Sequence, residues 1–353
     1  AKADGAVAAA TLTVTFHRLK PAHCLEPGAS LCGEVELVDI GIPGGWDRVV
    51  GLLARANHPG LWSGDLPAHS ALDHKHARGR LAVFTGGAAS TGAARLAAWT
   101  GLRVGAGLVT LLSPPSAMLV NAAASTAVMV RRWDEPGLAS EALKILRADA
   151  GVMGPAMGLG EPAQQAVLSA LQGATPLVLD ADALSCFQDE PDALFAALRP
   201  GDVLTPHEGE FRRLFPDLTG DNKTGDNKTG GNKIERVRRA AARAGCVVLL
   251  KGADTVIAGP DAVPVINRHA TPALATAGSG DVLAGLIGGL LAQGVSAFPA
   301  ACMAVWLHGD AGLHLGEGLT AEDLPDALPK RLQALRRRLQ AQDVYSHLLV
   351  HGS

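Results

Sequence analysis

Val247-Val248-Leu249-Leu250-Lys251-Gly252-Ala253-Asp254-Thr255 holds four consecutive apolar residues and then turns polar at once. A strand with one wet face alternates apolar and polar side chains, whereas a strand that is apolar throughout is covered on both faces. Similar short apolar runs recur upstream at 81–85, 108–112, 127–130, 150–153, 177–179 and 203–205. Between them lie segments with helical spacing, at 91–104, 162–171, 208–214 and 234–244, and a long apolar helix is expected over 281–293. Strands alternating with helices predict an α/β fold, a mostly parallel sheet layered between helices.

The rest of the chain bounds this reading. It has 353 residues, 48% of them hydrophobic and 18% charged, enough apolar material for a large core. Lys plus Arg number 31 against 34 Asp plus Glu, a net charge of -3 that lacks the basic footprint of a nucleic-acid binder. The apolar run 282–291 is too short to span a bilayer. No charged start followed by an apolar stretch opens the chain, so no secretory leader is expected. Cys24, Cys32, Cys186, Cys246 and Cys302 are odd in number and widely spaced, which suits reduced thiols in a cytoplasmic protein. Four regions are expected: a front segment of short strands at 1–43, a turn-rich linker at 44–72, the α/β domain at 73–330, and a C-terminal helix and tail at 331–353. Three near-identical pentads at 219–233 read as a solvated loop between helices, and the basic run 330–338 as a solvated helical face.

The chemistry gathers where strands end. Gly278-Ser279-Gly280-Asp281 runs straight into an apolar helix. Unpaired amides at a helix start, with glycines allowing close approach, bind anions. A carboxylate there would repel a phosphate unless it takes the proton from a hydroxyl attacking the phosphorus, which is what phosphoryl transfer needs. The plainer alternative is that Asp281 caps the helix. Lys251 at the end of its strand can reach phosphates, or simply extend to water. Thr205-Pro206-His207-Glu208-Gly209-Glu210 offers polar groups, with Thr205 and Glu208 at the spacing of a capping box. Asp180-Ala181-Asp182 ends another strand with two carboxylates that suit magnesium, a base-orienting role or another cap. Gly154-Pro155-Ala156-Met157-Gly158-Leu159-Gly160 and Gly86-Gly87 are glycine-rich turns after two more strands. Together these ends describe a ligand crevice along one sheet edge.

In this order, from about His74 to Leu328, these motifs resemble the nucleotide-dependent NAD(P)H-hydrate dehydratases of the ribokinase-like superfamily. His74-Lys75-His76-Ala77-Arg78-Gly79, Thr91-Gly92-Ala93-Ala94-Arg95 and Gly105-Ala106-Gly107-Leu108-Val109-Thr110 add to the likeness. The resemblance implies phosphorylation of the ring hydroxyl of hydrated NADH or NADPH by ADP or ATP with magnesium, then elimination of phosphate. It implies that Asp281 is the base, with Gly278, Ser279 and Gly280 as anion hole. Lys251, Gly252, Ala253, Asp254, Thr255 and Gly280 would contact the nucleotide. Ala93, Gly160, His207 and Asp281 would contact the hydrated cofactor, with Asp180, Asp182 and Glu210 in support. It also implies a homo-oligomer. The turn 154–160 is two residues longer than the family's G-P-G-L-G. Residues 10–42 resemble the last strands of an NAD(P)H-hydrate epimerase domain, but the family's potassium and substrate residues find no match, so no epimerase site is assigned and epimerase activity is in doubt. The competing readings are a ribokinase-like kinase acting on a hydroxymethylpyrimidine or sugar, and a nucleotide-binding protein without turnover. Because the pentads read as a surface insertion, deleting 219–228 should leave the rate of NADH recovery from its hydrate unchanged.

Overall fold

The computed structural model describes residues 7–42, 51, 53–68, 74–219 and 231–348. Its twelve strands are β1 Leu12–Phe16, β2 Glu34–Val38, β3 Arg55–Ala56, β4 Arg80–Phe84, β5 Leu108–Ser113, β6 Met129–Arg132, β7 Ala150–Met153, β8 Leu177–Leu179, β9 Val203–Leu204, β10 Val247–Leu250, β11 Thr255–Ala258 and β12 Val265–Asn267. The helices are α1 Gly28–Leu31, α2 Thr91–Val104, α3 Met118–Ala123, α4 Ala139–Leu146, α5 Glu161–Leu171, α6 Asp182–Ser185, α7 Pro191–Ala197, α8 Glu208–Leu214, α9 Lys233–Ala244, α10 Ser279–Ala292, α11 Ala297–Leu315 and α12 Asp323–Leu348. Ten strands form one sheet in the order β3-β12-β11-β10-β9-β8-β7-β4-β5-β6. Every described pairing in it is parallel except those of β11, which runs against both β10 and β12.

The two-faced apolar strands behave as their composition requires. Leu81, Val83, Val152, Val178, Val247 and Leu249 enter one core, packed under α2, α10, α11 and α12. Their neighbours Ala82, Phe84, Met153, Leu177, Leu179, Val248 and Leu250 enter the other, under α4, α5, α8 and α9. The period of two within each strand thus feeds two separate cores. Helix α10 is buried at twelve of its fourteen positions, as expected of a helix apolar all round.

Several expectations shift. The strand expected at 127–130 forms at Met129–Arg132, and the sheet gains the return strands β11 and β12, which have no counterpart in the alternating pattern. Part of the expected linker is built into the domain: β3 pairs with β12, and Asn57 Nδ2 donates to Asn267 Oδ1 at 3.0 Å and to the Cys302 carbonyl at 2.8 Å. Trp62 is buried, donates to Asn57 Oδ1 at 3.0 Å and meets Trp306 edge-on at 5.9 Å. The helix expected from 331 starts at Asp323, with Leu324, Leu328 and Leu335 in the core. Most of the pentad repeat, 220–230, lies outside the described residues.

The front segment folds as a parallel pair, β1 and β2, joined through the turn Pro21–His23 and α1. Cys24 and Leu25 of that connection are buried in the second core of the α/β domain.

Helix α10 meets α2 at backbone contact. A Cβ on Gly285 would stand 2.2 Å from the Ala97 carbonyl oxygen, a backbone atom that cannot rotate aside. Gly285→Ala should lower stability by about 1–3 kcal/mol, the usual cost of overpacking a core, read as a lower urea midpoint with unchanged slope.

Candidate active site

The strands β10, β9, β8, β7 and β4 are consecutive neighbours and all run the same way. Their C-terminal ends therefore deliver Lys251, the turn from Thr205 to His207, Asp180, the 154–160 turn and Gly86-Gly87 to one edge. Backbone bonds carry the ladder past the strands proper: Asp180 N donates to the Met153 carbonyl, Thr205 N to Leu179 and Lys251 N to Pro206.

Helix α10 begins at Ser279, two residues earlier than its apolar run suggests, so Asp281 lies within its first turn and is not the cap. The cap position belongs to Gly278, held at φ +86, where an L side chain is strained, and no side chain caps the helix. Ser279 N is engaged by the Thr276 carbonyl at 3.3 Å, while the amides of Gly280 and Asp281 have no acceptor among the described residues. The amides without a partner among the described residues are thus those of Gly280 and Asp281, whereas the expected trio was Gly278, Ser279 and Gly280.

Over this helix start lies an ion pair. Lys251 Nζ donates to Asp180 Oδ1 at 2.6 Å. A Cβ on Gly280 would be 3.5 Å from that Nζ and 3.7 Å from Asp180 Oδ2. Asp281 is partly exposed rather than turned into the core. Burial, reinforced by the charge of Asp180 and opposed by Lys251, pushes its carboxyl up to about 6. Glu210 is also raised, again chiefly by burial and against the pull of Lys251.

The other expected residues divide. Asp182 opens α6 and accepts from Gly158 N at 2.8 Å, tying the glycine-rich turn to the next strand end. Gly160 is the cap residue of α5, and Ala93 lies in the first turn of α2, one turn before Leu96, whose Cδ1 would lie 2.9 Å from a Cβ on Gly278. The capping box at α8 is His207 with Glu210, not Thr205 with Glu208: His207 Nδ1 accepts from Gly209 N and Glu210 N, and His207 N donates to Glu210 Oε2 at 2.8 Å. Thr205 instead donates its hydroxyl to the Leu179 carbonyl. Asp254 turns away from the crevice to Lys233 Nζ at 2.5 Å, because the return strand β11 starts there and reverses the chain.

Beside the helix start opens a cavity of about 770 Å³, whose walls include Lys251, Gly252, Thr255, Thr276, Ser279 and Gly280. Asp281 flanks this cavity without forming its wall. Chemically, the edge can hold an anion at two free amides and an ammonium, with a carboxylate of raised pKa at its side.

The pattern of the NAD(P)H-hydrate dehydratase family matches residues 81–334. The chain belongs to this family. The "Bifunctional NAD(P)H-hydrate repair enzyme Nnr" of Moorella thermoacetica is 35% identical over 346 residues, covering 94% of this chain and 64% of that protein. The enzyme of the same description from Mycobacterium leprae is 34% identical, covering 96% of this chain and 65% of its own length. The chain thus spans a little under two thirds of these relatives, and both alignments reach into the front segment. Among solved structures, the Bacillus subtilis ADP/ATP-dependent NAD(P)H-hydrate dehydratase co-crystallised with ATP and Mg2+ superimposes with a TM-score of 0.66 at 27% identity, covering 80% of this chain and 98% of that one.

One further residue beside this candidate site escapes sequence reasoning. His308, on α11, is buried at the wall of the same cavity, its Nε2 lies 3.1 Å from Ser279 Oγ, and burial lowers its pKa to about 4. It is neutral near pH 7 and fixes the Ser279 hydroxyl at the helix mouth. Nothing in its apolar helical surroundings distinguishes it, and Ser279 is 29 residues away in sequence.

Asp281 sets a test of stability. Its carboxyl ionises near 3.8 when unfolded and near 6 when folded, so folding favours the protonated form. The penalty is absent below about pH 4, grows as pH rises and is complete above about 6. Asp281→Asn should therefore raise stability at pH 8, on the order of 1 kcal/mol after allowance for its partial exposure. That gain should vanish at pH 3.5 when unfolding is followed by urea titration.

Proposed function

We propose that this chain dehydrates hydrated NADH and NADPH back to the reduced cofactors, using ADP or ATP as phosphoryl donor. The observation that carries the reading is Asp281: an uncapping, partly exposed carboxylate with a pKa near 6, next to free helix amides and the Lys251 ammonium. Family membership supplies the substrate class; the geometry supplies a reason for the carboxylate. Hydroxide leaves poorly, so the ring hydroxyl is first made a phosphate ester. Asp281 takes the hydroxyl proton as its oxygen attacks the terminal phosphorus, and the nucleotide departs one phosphate shorter. The ring nitrogen's lone pair then expels phosphate, and loss of a proton from the neighbouring carbon restores the double bond.

In this reading Gly280 N, Asp281 N and Lys251 receive the charge on the transferring group, at a helix start whose dipole favours anions. Asp180 fixes the lysine rather than the substrate. Neutral His308 orients Ser279. Ala93, Gly160 and His207 border the hydrated ring and its phosphates, and Gly252, Ala253 and Thr255 the nucleotide. Magnesium in such sites rests mainly on nucleotide phosphates with one or two carboxylates. Asp180, whose Oδ2 lies toward Gly280 while Oδ1 takes Lys251, fits that share. When bound, the ion would offset the charge of the nucleotide phosphates.

Incubation with hydrated NADH and either nucleotide should restore the reduced-nicotinamide absorbance. Asp281→Asn should keep nucleotide affinity and lose roughly 10²–10⁴-fold in kcat, the range for a positioned general base. In the wild type the acid limb of kcat/KM should fall near pH 6, above that of an ordinary aspartate. Turnover of the variant within a few-fold of wild type would remove Asp281 from the role.

A further inference from the structure

The walls of the 770 Å³ cavity do not all come from the α/β domain. Cys24, Glu26, Ala29 and Ser30, from the connection between β1 and β2, form one side of it. That connection is anchored. Cys24 and Leu25 are buried in the second core, and Glu26 N donates to Asp254 Oδ2 at 3.0 Å. Asp254 is in turn held by Lys233 Nζ. The carboxylate that turns away from the crevice is therefore the clasp between the front segment and the first turn after β10, whose Gly252, Ala253 and Thr255 form another side of the same cavity.

We infer that the front segment completes the nucleotide site, so that nucleotide binding and the packing of residues 24–31 are energetically linked. This rests on the reading of the cavity as the nucleotide site. A space of about 770 Å³ has the size of a small-ligand site. The front wall offers a carboxylate, Glu26, and a hydroxyl, Ser30. Glu26 Oε2 already accepts from Ser30 N at 3.2 Å, which holds the carboxylate against α1. A carboxylate beside a hydroxyl suits the sugar hydroxyls of a nucleotide and repels its phosphates, which the Lys251 ammonium and the amides of Gly280 and Asp281 attract. The charge distribution thus orients the ligand with its sugar or base toward the front segment and its phosphates toward Asp281. A ligand touching both parts strengthens their contact by as much as that contact strengthens the ligand's affinity.

Amide hydrogen exchange of the full chain, with and without saturating ADP, tests this. ADP should slow exchange at 251–255 and 278–281, and equally across 24–31, where Leu25 N and Ala29 N bond to the Pro21 and Leu25 carbonyls. Slowing at the first two stretches with none at 24–31 overturns the inference and leaves the proposed function standing. No slowing anywhere overturns both. Independently, Ala29→Trp should weaken ADP binding at least about tenfold, equivalent to 1.4 kcal/mol, by calorimetry, with an unchanged unfolding midpoint; unaltered affinity in a folded variant would sink the idea.

Discussion

The bond between Lys251 and Asp180 organises everything around it. The two residues end strands β10 and β8, which are not neighbours; β9 lies between them, so the pair spans a strand. Both side chains are largely withdrawn from water, and an unpaired charge left there would be strongly destabilising. The pair therefore fixes the relative height of the strand ends and sets the ammonium over the first turn of α10. It also sets the electrostatics: the charge of Asp180 helps raise Asp281, and the charge of Lys251 restrains both Asp281 and Glu210. One cation among three carboxylates leaves these side chains net negative, so attraction for an anion has to come from the amides of Gly280 and Asp281 and from Lys251 at close range.

The layered fold was legible because the strands have no polar face. Leu81 to Phe84 and Val247 to Leu250 can be buried only between two helical layers, and alternation within each strand decides which core receives which side chain. The same logic hid β11 and β12. They follow β10 after a tight turn and arise from the chain doubling back, a step that a strand-helix alternation does not contain. The linker was misjudged for a related reason: glycine and proline mark turns, but one buried Asn57 and one buried Trp62 are enough to bind such a stretch to a sheet edge.

The gathering of the candidate residues was legible at the strand ends, since polar residues straight after apolar runs must emerge at one edge of a parallel sheet. Its details depended on how backbone groups are shared, which spacing does not encode. The box at α8 uses His207 because the helix begins at Glu208, which makes His207 the cap and Glu210 the third helical residue, and Asp254 faces Lys233 because the chain reverses beside it. His308 and the wall formed by Cys24 to Ser30 come from positions hundreds of residues or a whole helix away from the motif, joined to it only by the tertiary fold.

The contact between Gly285 and the Ala97 carbonyl has a mechanical meaning. At that contact no side chain separates the two helices, which leaves α10 little room to slide or roll and makes its mouth a fixed anvil. In the proposed reaction, reactants would have to be carried to it: any tightening would fall to loops and ligands, while the amides and the aspartate stay in place like the stationary jaw of a vice.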